Sequence, residues 1–268
     1  SRRANIGIQV DQGFNGSLSY AFLYNPKKGI NYTMSVNFRY GKAYYDKIGH
    51  NLDQYNKENI AKNMVRYYDG GSPTALWAVR SRGIDPATGK EIFVRKDGVL
   101  TYDFSYDEEV EVGDSRPTLE GVWGNTLYYK GFSASVQIRY SFGADAFNST
   151  LFNKVENISS SNITTNQDKR ALYDRWKKPG DKAQFKNIAN STSTPMSSRF
   201  VADENTLSCE WVSIGYETQA RWLRHFGASS MTIRGYMNDI FRISTVKNER
   251  GLSYPFARSV SFSLGVTF

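Results

Sequence analysis

Cysteine and histidine are nearly missing from this chain. A single cysteine, Cys209, excludes an intrachain disulfide and any metal site built from several thiolates. Two histidines, His50 and His225, leave little material for imidazole chemistry, and no cofactor or metal is expected. No apolar run approaches the ~18 residues of a helical membrane span. The opening Ser1-Arg2-Arg3-Ala4 lacks the charged-then-apolar layout of a secretory leader, as in a cytosolic chain or a mature or truncated piece. No basic helix or fold motif for nucleic acid is present, so no such partner is expected. Proline is scarce, with 7 in 268 residues.

Aromatic residues, by contrast, make up 15% of the chain, with 18 Tyr and 16 Phe, beside 22 Gly. That mixture favours pleated, half-buried surfaces. Charge is moderate, 34 basic against 26 acidic side chains, a net +8.

The hydrophobic period is 2 over most of the length. Ile6, Ile8, Val10, Phe14, Leu18, Tyr20, Phe22 and Tyr24 share one face, with Gly7, Gln9, Asp11, Asn15, Ser17 and Ser19 between them. After the turn-forming Asn25-Pro26-Lys27-Lys28-Gly29, the set Ile30, Tyr32, Met34, Val36, Phe38 and Tyr40 opposes Asn31, Thr33, Ser35, Asn37 and Arg39. This pattern predicts seven strands: Ala4–Tyr24, Ile30–Lys47, Thr118–Tyr129, Phe132–Phe147, Asn205–Thr218, Ser230–Ser244 and Arg258–Phe268. The apolar phase switches near Trp211-Val212, which predicts a bulge there.

The connections are sorted by length. Asn25–Gly29 and Lys130-Gly131 are short, whereas about 49–117 and 148–202 are long, and both long segments fall at the same end of an up-and-down order. Structureless connections beyond about 15 residues are uncommon in compact domains. Outer-membrane barrels sort their loops this way, with short periplasmic and long external connections. The first two strands also exceed the ~9–11 tilted residues that span a bilayer, and the Tyr and Trp content suits interfacial girdles. The reading is therefore all-β: a transmembrane antiparallel up-and-down β-barrel with long extracellular loops. Its oily side faces outer-membrane lipid. Seven is odd, whereas bacterial single-chain barrels have even strand counts, so 1–268 is expected to be the C-terminal part of a larger barrel domain. The alternative is a secreted or surface β-sandwich carbohydrate-binding or adhesin module.

Inside the long connections, Leu52, Tyr55, Ile60, Met64, Tyr67 and Tyr68 form a rough helical stripe, and Gln167–Trp176 predicts a short helix. Ile84–Lys90 reads as a turn between Ala75–Arg80 and Glu91–Arg95. The polar stretches Ser159–Thr165 and Asn190–Ser198 are expected to be mobile.

Several motifs resemble SusC/RagA-type TonB-linked outer-membrane transporters of Bacteroidetes. They are the run from Tyr68-Asp69-Gly70-Gly71-Ser72-Pro73 through Ile84-Asp85-Pro86-Ala87-Thr88-Gly89-Lys90-Glu91, Tyr128-Tyr129-Lys130-Gly131-Phe132 with Tyr140-Ser141-Phe142-Gly143, Arg175-Trp176-Lys177-Lys178-Pro179-Gly180-Asp181, and Tyr254-Pro255-Phe256-Ala257-Arg258-Ser259-Val260. The resemblance implies a 22-stranded barrel whose plug, TonB box and earlier strands lie outside this sequence. It also implies a SusD-like surface lipoprotein as partner, the TonB complex acting through the missing N-terminal region, and uptake of an oligosaccharide or peptide in the cell outer membrane.

No catalytic residue is expected, and the chain is read as non-enzymatic. Asp107, Glu108 and Glu109 are adjacent on a loop, unlike two carboxyl groups flanking a glycosidic bond, and are expected to be solvated. Asp85 reads as a turn-forming carboxylate. The candidate substrate- or partner-facing aromatics are Tyr67, Tyr68, Trp77, Tyr173 and Trp176, with the core of the folded loops as the other role open to them. Val260, Phe262, Leu264, Val266 and Phe268 are assigned to the barrel-closing strand.

Overall fold

The computed structural model describes residues 5–158, 167–246 and 258–268. The expected Ser159–Thr165 segment and most of the Tyr254–Val260 motif lie outside them. Two compact units are present. One comprises the residues up to Gln12 with Lys42–Pro117 and Ala144–Glu204. The other comprises Gly13–Gly41, Thr118–Gly143 and the residues from Asn205 onward.

Among the described residues eleven strands run in chain order: β1 Ile8–Asn25, β2 Ile30–Asp46, β3 Ala75–Ile84, β4 Glu91–Val94, β5 Leu100–Thr101, β6 Glu109–Asp114, β7 Leu119–Tyr129, β8 Phe132–Phe147, β9 Val201–Thr218, β10 Ser230–Ser244 and β11 Val260–Thr267. The helices are α1 Asp53–Asn59 and α2 Arg170–Tyr173, with a π-turn at Leu151–Glu156. A seven-stranded sheet has the order β1-β2-β7-β8-β9-β10-β11, and the pairs β2–β7, β7–β8, β9–β10 and β10–β11 are antiparallel. The seven strands read from alternation are these seven, with ends shifted by a few residues. Among the described residues the sheet is open, with β1 and β11 at its edges.

Register explains why the alternation holds. Tyr32 lies opposite Leu127, Val36 opposite Trp123, Trp123 opposite Ile138 and Leu127 opposite Ala134. On the other face Thr33 meets Thr126, Arg39 meets Glu120 and Gln137 meets Gly124. A one-residue slip would mix the two classes, which fixes the pairing. The hairpin Tyr129-Lys130-Gly131-Phe132 closes through two residues with φ of 48° and 88°. That is the primed turn whose twist matches the strands. At Gly121 a Cβ would strike the Asn37 carbonyl, and the Tyr140 ring crosses this gap to donate its hydroxyl to that carbonyl at 2.9 Å.

The apolar face stays uncovered. Phe14, Leu18, Ile214, Ile233, Phe262 and Leu264 are all exposed, the last two at 79% and 66%. No partner sheet packs on them among the described residues, as a sandwich would require.

The bulge expected near Trp211-Val212 falls instead on the neighbouring strand. Asn238 pairs with Trp211 and Phe241 with Cys209, so the extra residue is in β10, where Asp239 has φ 51°. The apolar set of β9 changes face at this level, which is the signal that the sequence carried.

The other unit is organised by a four-stranded sheet, β5-β4-β3-β6, whose β3–β4 hairpin is the one read from the sequence. The helical stripe from Leu52 to Tyr68 is helical only at Asp53–Asn59. The Asn56 side chain donates to the Tyr67 carbonyl (2.9 Å) and accepts from the Tyr67 N–H (3.0 Å), holding the later half extended beside the helix. The second predicted helix shortens to Arg170–Tyr173, where the Arg175 guanidinium takes the Ala171 carbonyl at 2.7 Å. Two apolar cores form here: Val155, Ala171, Phe185 and Phe200, and Met64, Leu76 and Ala78.

Candidate functional site

In the seven-stranded unit the polar face is the feature with chemistry. Asn15, Ser17, Asn37, Arg39, Glu120 and Arg139 line a recess of about 520 Å³. Charges alternate across adjacent strands. Arg39 on β2 lies 3.5 Å from Glu120 on β7, and Arg139 on β8 pairs with Glu210 on β9. Such a row offers hydrogen-bonding groups to water or a polar ligand without a net charge.

In the other unit the two long connections are held by buried ion pairs. Arg66, 1% exposed, forms a bidentate pair with Glu109 at 2.8 and 3.0 Å and donates to the carbonyls of Ile60, Asn63 and Val65, each at 2.8 Å. Burial holds Glu109 above the ordinary carboxylate range despite this cation. Glu109 is therefore no solvated loop carboxylate, contrary to expectation: it leaves the acidic run as β6 begins and turns into the fold. Glu108 accepts from the Lys96 N–H at 2.6 Å, and Asp107 is exposed.

A second network centres on Arg199. Its guanidinium lies 2.8 Å from Glu91 and 2.7 Å from Glu156, whose side chain is fully enclosed. Ser197 Oγ donates to Glu91 at 2.6 Å, and Thr194 Oγ1 donates to Glu156 at 2.9 Å. Burial opposes the charge on Arg199, but its hydrogen bonds to Glu156 and the field of Glu91 outweigh it and hold the pKa up. Burial pushes Lys186 and Arg175 down. The expected mobility of Asn190–Ser198 is thus corrected at its C-terminal half. Thr194 and Ser197 are buried, because their hydroxyls satisfy enclosed carboxylates.

Next to this network lies a cleft of about 650 Å³, within the usual range for ligand sites. Ile84, Pro86, Leu151, Phe185 and Phe200 give it an apolar floor, and Arg82 and Lys182 stand exposed at its rim. Neither cation has a carboxylate partner among the described residues. This arrangement suits a ligand that joins an apolar group to an anionic one.

The five candidate aromatics do not form one cluster, although Tyr68 and Trp77 touch. The Tyr67 ring lies 5.6 Å from both Tyr45 and Tyr55. Tyr68 tilts on Trp77 at 4.9 Å, and burial raises its hydroxyl pKa. The Trp77 indole N–H is buried without an acceptor among the described residues. Trp176 donates to the Pro86 carbonyl at 2.9 Å and lies against Gly89, in the turn of the β3–β4 hairpin. Tyr173 is 75% exposed. Asp85 accepts from the Ala87 N–H (3.0 Å), Thr88 Oγ1 (2.7 Å) and the Tyr102 hydroxyl (2.7 Å), and these bonds, that from Thr88 first, lower its pKa. His50 and His225 are exposed, His50 bonded to Asp53 at 2.8 Å, and Cys209 is buried in β9. On β11, Val260, Phe262, Leu264, Val266 and Phe268 are all exposed. Sequence reasoning missed Arg66, Glu91, Glu156 and Arg199, whose local context is that of ordinary loop charges.

Comparison with known proteins gives no matching family model. No curated protein matches either. Among solved structures, a chain of the RagAB peptide transporter superposes with TM-score 0.75 at 18% identity, covering 91% of this chain and 26% of its own length. The RagAB peptide importer in the open-open state gives 0.75 at 18%, covering 98% and 29%. Its closed-closed state gives 0.71 at 19%, covering 90% and 27%. This chain therefore has the fold of little more than a quarter of a RagAB transporter chain, from the group of proteins that its loop motifs resemble.

Proposed function

We propose that this chain is barrel wall and two external loops (about 49–117 and 148–202) of a SusC/RagA-type, TonB-dependent nutrient transporter of the outer membrane. The observation that carries this reading is the seven-stranded sheet whose strands alternate apolar and polar side chains, with Phe14, Leu18, Ile214, Ile233, Phe262 and Leu264 exposed and no sheet packed on them among the described residues. Water does not tolerate an apolar surface of that extent, whereas hydrocarbon on one side and an aqueous lumen on the other satisfy both faces. The open edges β1 and β11 would be paired by further strands, since unpaired edges are not stable in lipid. The cargo is an oligosaccharide or a peptide, the latter being what the structural neighbours import. The external loops face cargo and a SusD-like lipoprotein, with Tyr67, Tyr68, Trp77, Tyr173 and Trp176 as candidate contacts. The chain performs no bond-breaking chemistry, and TonB acts through a plug that lies outside these residues.

Fractionation of the whole protein tests this. It should sediment with outer membranes, resist carbonate and require detergent for extraction. A protein that stays in solution without detergent would overturn the proposal.

A further inference from the structure

The seven-stranded unit gathers its short connections at one end. They are the 3-10 turn Pro26–Lys28 with Gly29, the hairpin at Lys130-Gly131, and the segment carrying the 3-10 turn Arg221–Phe226. Register places them together. Ile30 lies opposite Tyr129, Tyr129 opposite Phe132, Met231 opposite Thr218 and Ser230 opposite Thr267. The turns are also bonded laterally: the Lys130 N–H donates to the Gly29 carbonyl, and the Glu217 N–H to the Gly131 carbonyl, both at 2.8 Å.

The composition of this end is lopsided. Lys27, Lys28, Lys130, Arg221 and Arg224 are all exposed, and Glu217 is the one side-chain carboxylate in these turns and the adjoining strand ends. None of the five cations is ion-paired among the described residues. Exposed aromatic rings stand among them. Phe132 packs on Tyr216 at 4.5 Å, Trp222 lies edge-on to Phe226, and Lys130 Nζ sits 5.2 Å from the Tyr129 ring. Tyr129 and Phe132 continue the apolar row of Leu127, Ala134 and Val136, so the rings lie where the apolar face gives way to the basic turns.

Turns meeting plain water need neither feature. Rings with an apolar body, beside long cationic stems that reach past them, match the headgroup layer of a bilayer. Five unneutralised cations at that depth select negative headgroups over zwitterionic ones. Each cation near an anionic surface is worth a preference of about fivefold.

We infer that this end of the sheet is a binding surface for anionic phospholipid headgroups, a phosphodiester with net negative charge, on the leaflet that the short turns meet. The inference rests on the membrane placement proposed above. An acidic protein would meet the same cations, but it would not account for the rings that continue the apolar rows.

The test uses the whole protein in nanodiscs of phosphatidylethanolamine with a minority of phosphatidylglycerol, and counts the lipids that stay bound by native mass spectrometry. Bound phosphatidylglycerol should be enriched over the disc by about fivefold or more. The combined variant Lys27→Gln, Lys28→Gln, Lys130→Gln, Arg221→Gln and Arg224→Gln should lose the enrichment. Lysine-to-arginine changes at 27, 28 and 130 should keep it, as should neutralising Lys57, Lys62, Lys154, Lys177 and Lys178 on the long loops. The milder pair Lys27→Gln/Lys28→Gln, which should reduce the enrichment, serves if the fivefold variant fails to insert. Entry into the bilayer without enrichment, or enrichment unchanged in the turn variants, overturns this inference alone. So does displacement of the lipid by inorganic phosphate, which would mark a free-phosphate site. Failure to enter a bilayer overturns the transporter reading and this inference with it.

Discussion

Replacing Arg66 with Met removes the cation from an enclosed pair and puts the energetics of the loop unit to a direct test. Arg66 is 1% exposed and Glu109 11%. The change strands the Glu109 carboxylate and leaves the carbonyls of Ile60, Asn63 and Val65 without this donor. Breaking a buried pair by removing one partner costs ~3–5 kcal/mol, because the other charge stays in a poor dielectric. Hydrogen–deuterium exchange of the whole protein reads this locally. Amides of 60–68 and of β6 should exchange roughly a hundredfold faster or more, or lose protection altogether if their opening free energy is smaller than that cost. Exchange in β7, β8 and β10 should not change. Arg66→Met/Glu109→Leu should recover most of the loss, since an apolar pair of similar volume is tolerated where a lone charge is not. Unchanged exchange in Arg66→Met, or a double variant as fast as the single, would refute the reasoning.

Three further outcomes are expected. In the unaltered protein, Glu109 has a raised pKa, so between the ordinary glutamate value and that raised value the folded carboxyl keeps a proton that the unfolded one has lost. Protection of β6, corrected for intrinsic rates, should therefore be greatest at acid pH and fall as pH rises through that window; a rise instead would contradict the assignment. Arg199→Leu should expose the Gln184–Ser198 segment to limited proteolysis by stranding Glu91 and Glu156, and acid should partly restore resistance as the two carboxyls protonate; resistance equal to that of the unaltered protein would count against the clasp. Gly131→Val forces a β-branched residue to φ 88° and into the Glu217 backbone, a strain of about 1–3 kcal/mol, visible as lower refolding yield on heat-modifiability gels, whereas Lys130→Asn should refold normally.

The seven-stranded sheet was legible because its physics is local. A strand with an oily and a wet face must alternate, and Phe132–Phe147 or Ser230–Ser244 can be bounded from that signal alone. The bulge was misplaced by one strand because alternation reports a change of face and not which partner holds the extra residue. In the loop unit the decisive contacts are distant in sequence. Arg66 and Glu109 are 43 residues apart, and Glu91 and Arg199 are 108 apart, so nothing near any of them marks it as buried. Thr194 and Ser197 looked like solvated residues because a hydroxyl suits both water and an enclosed carboxylate.

The central claim is that one face of this sheet meets hydrocarbon and the other water. Spin labels placed singly at Ala134, Ser135, Val136, Gln137, Ile138 and Arg139 of the whole protein in lipid vesicles test it, by collision with oxygen and with a water-soluble nickel chelate. The account predicts a period of two, with positions 134, 136 and 138 accessible to oxygen and closed to the chelate, and 135, 137 and 139 the reverse. Equal access of the chelate to both sets would contradict it.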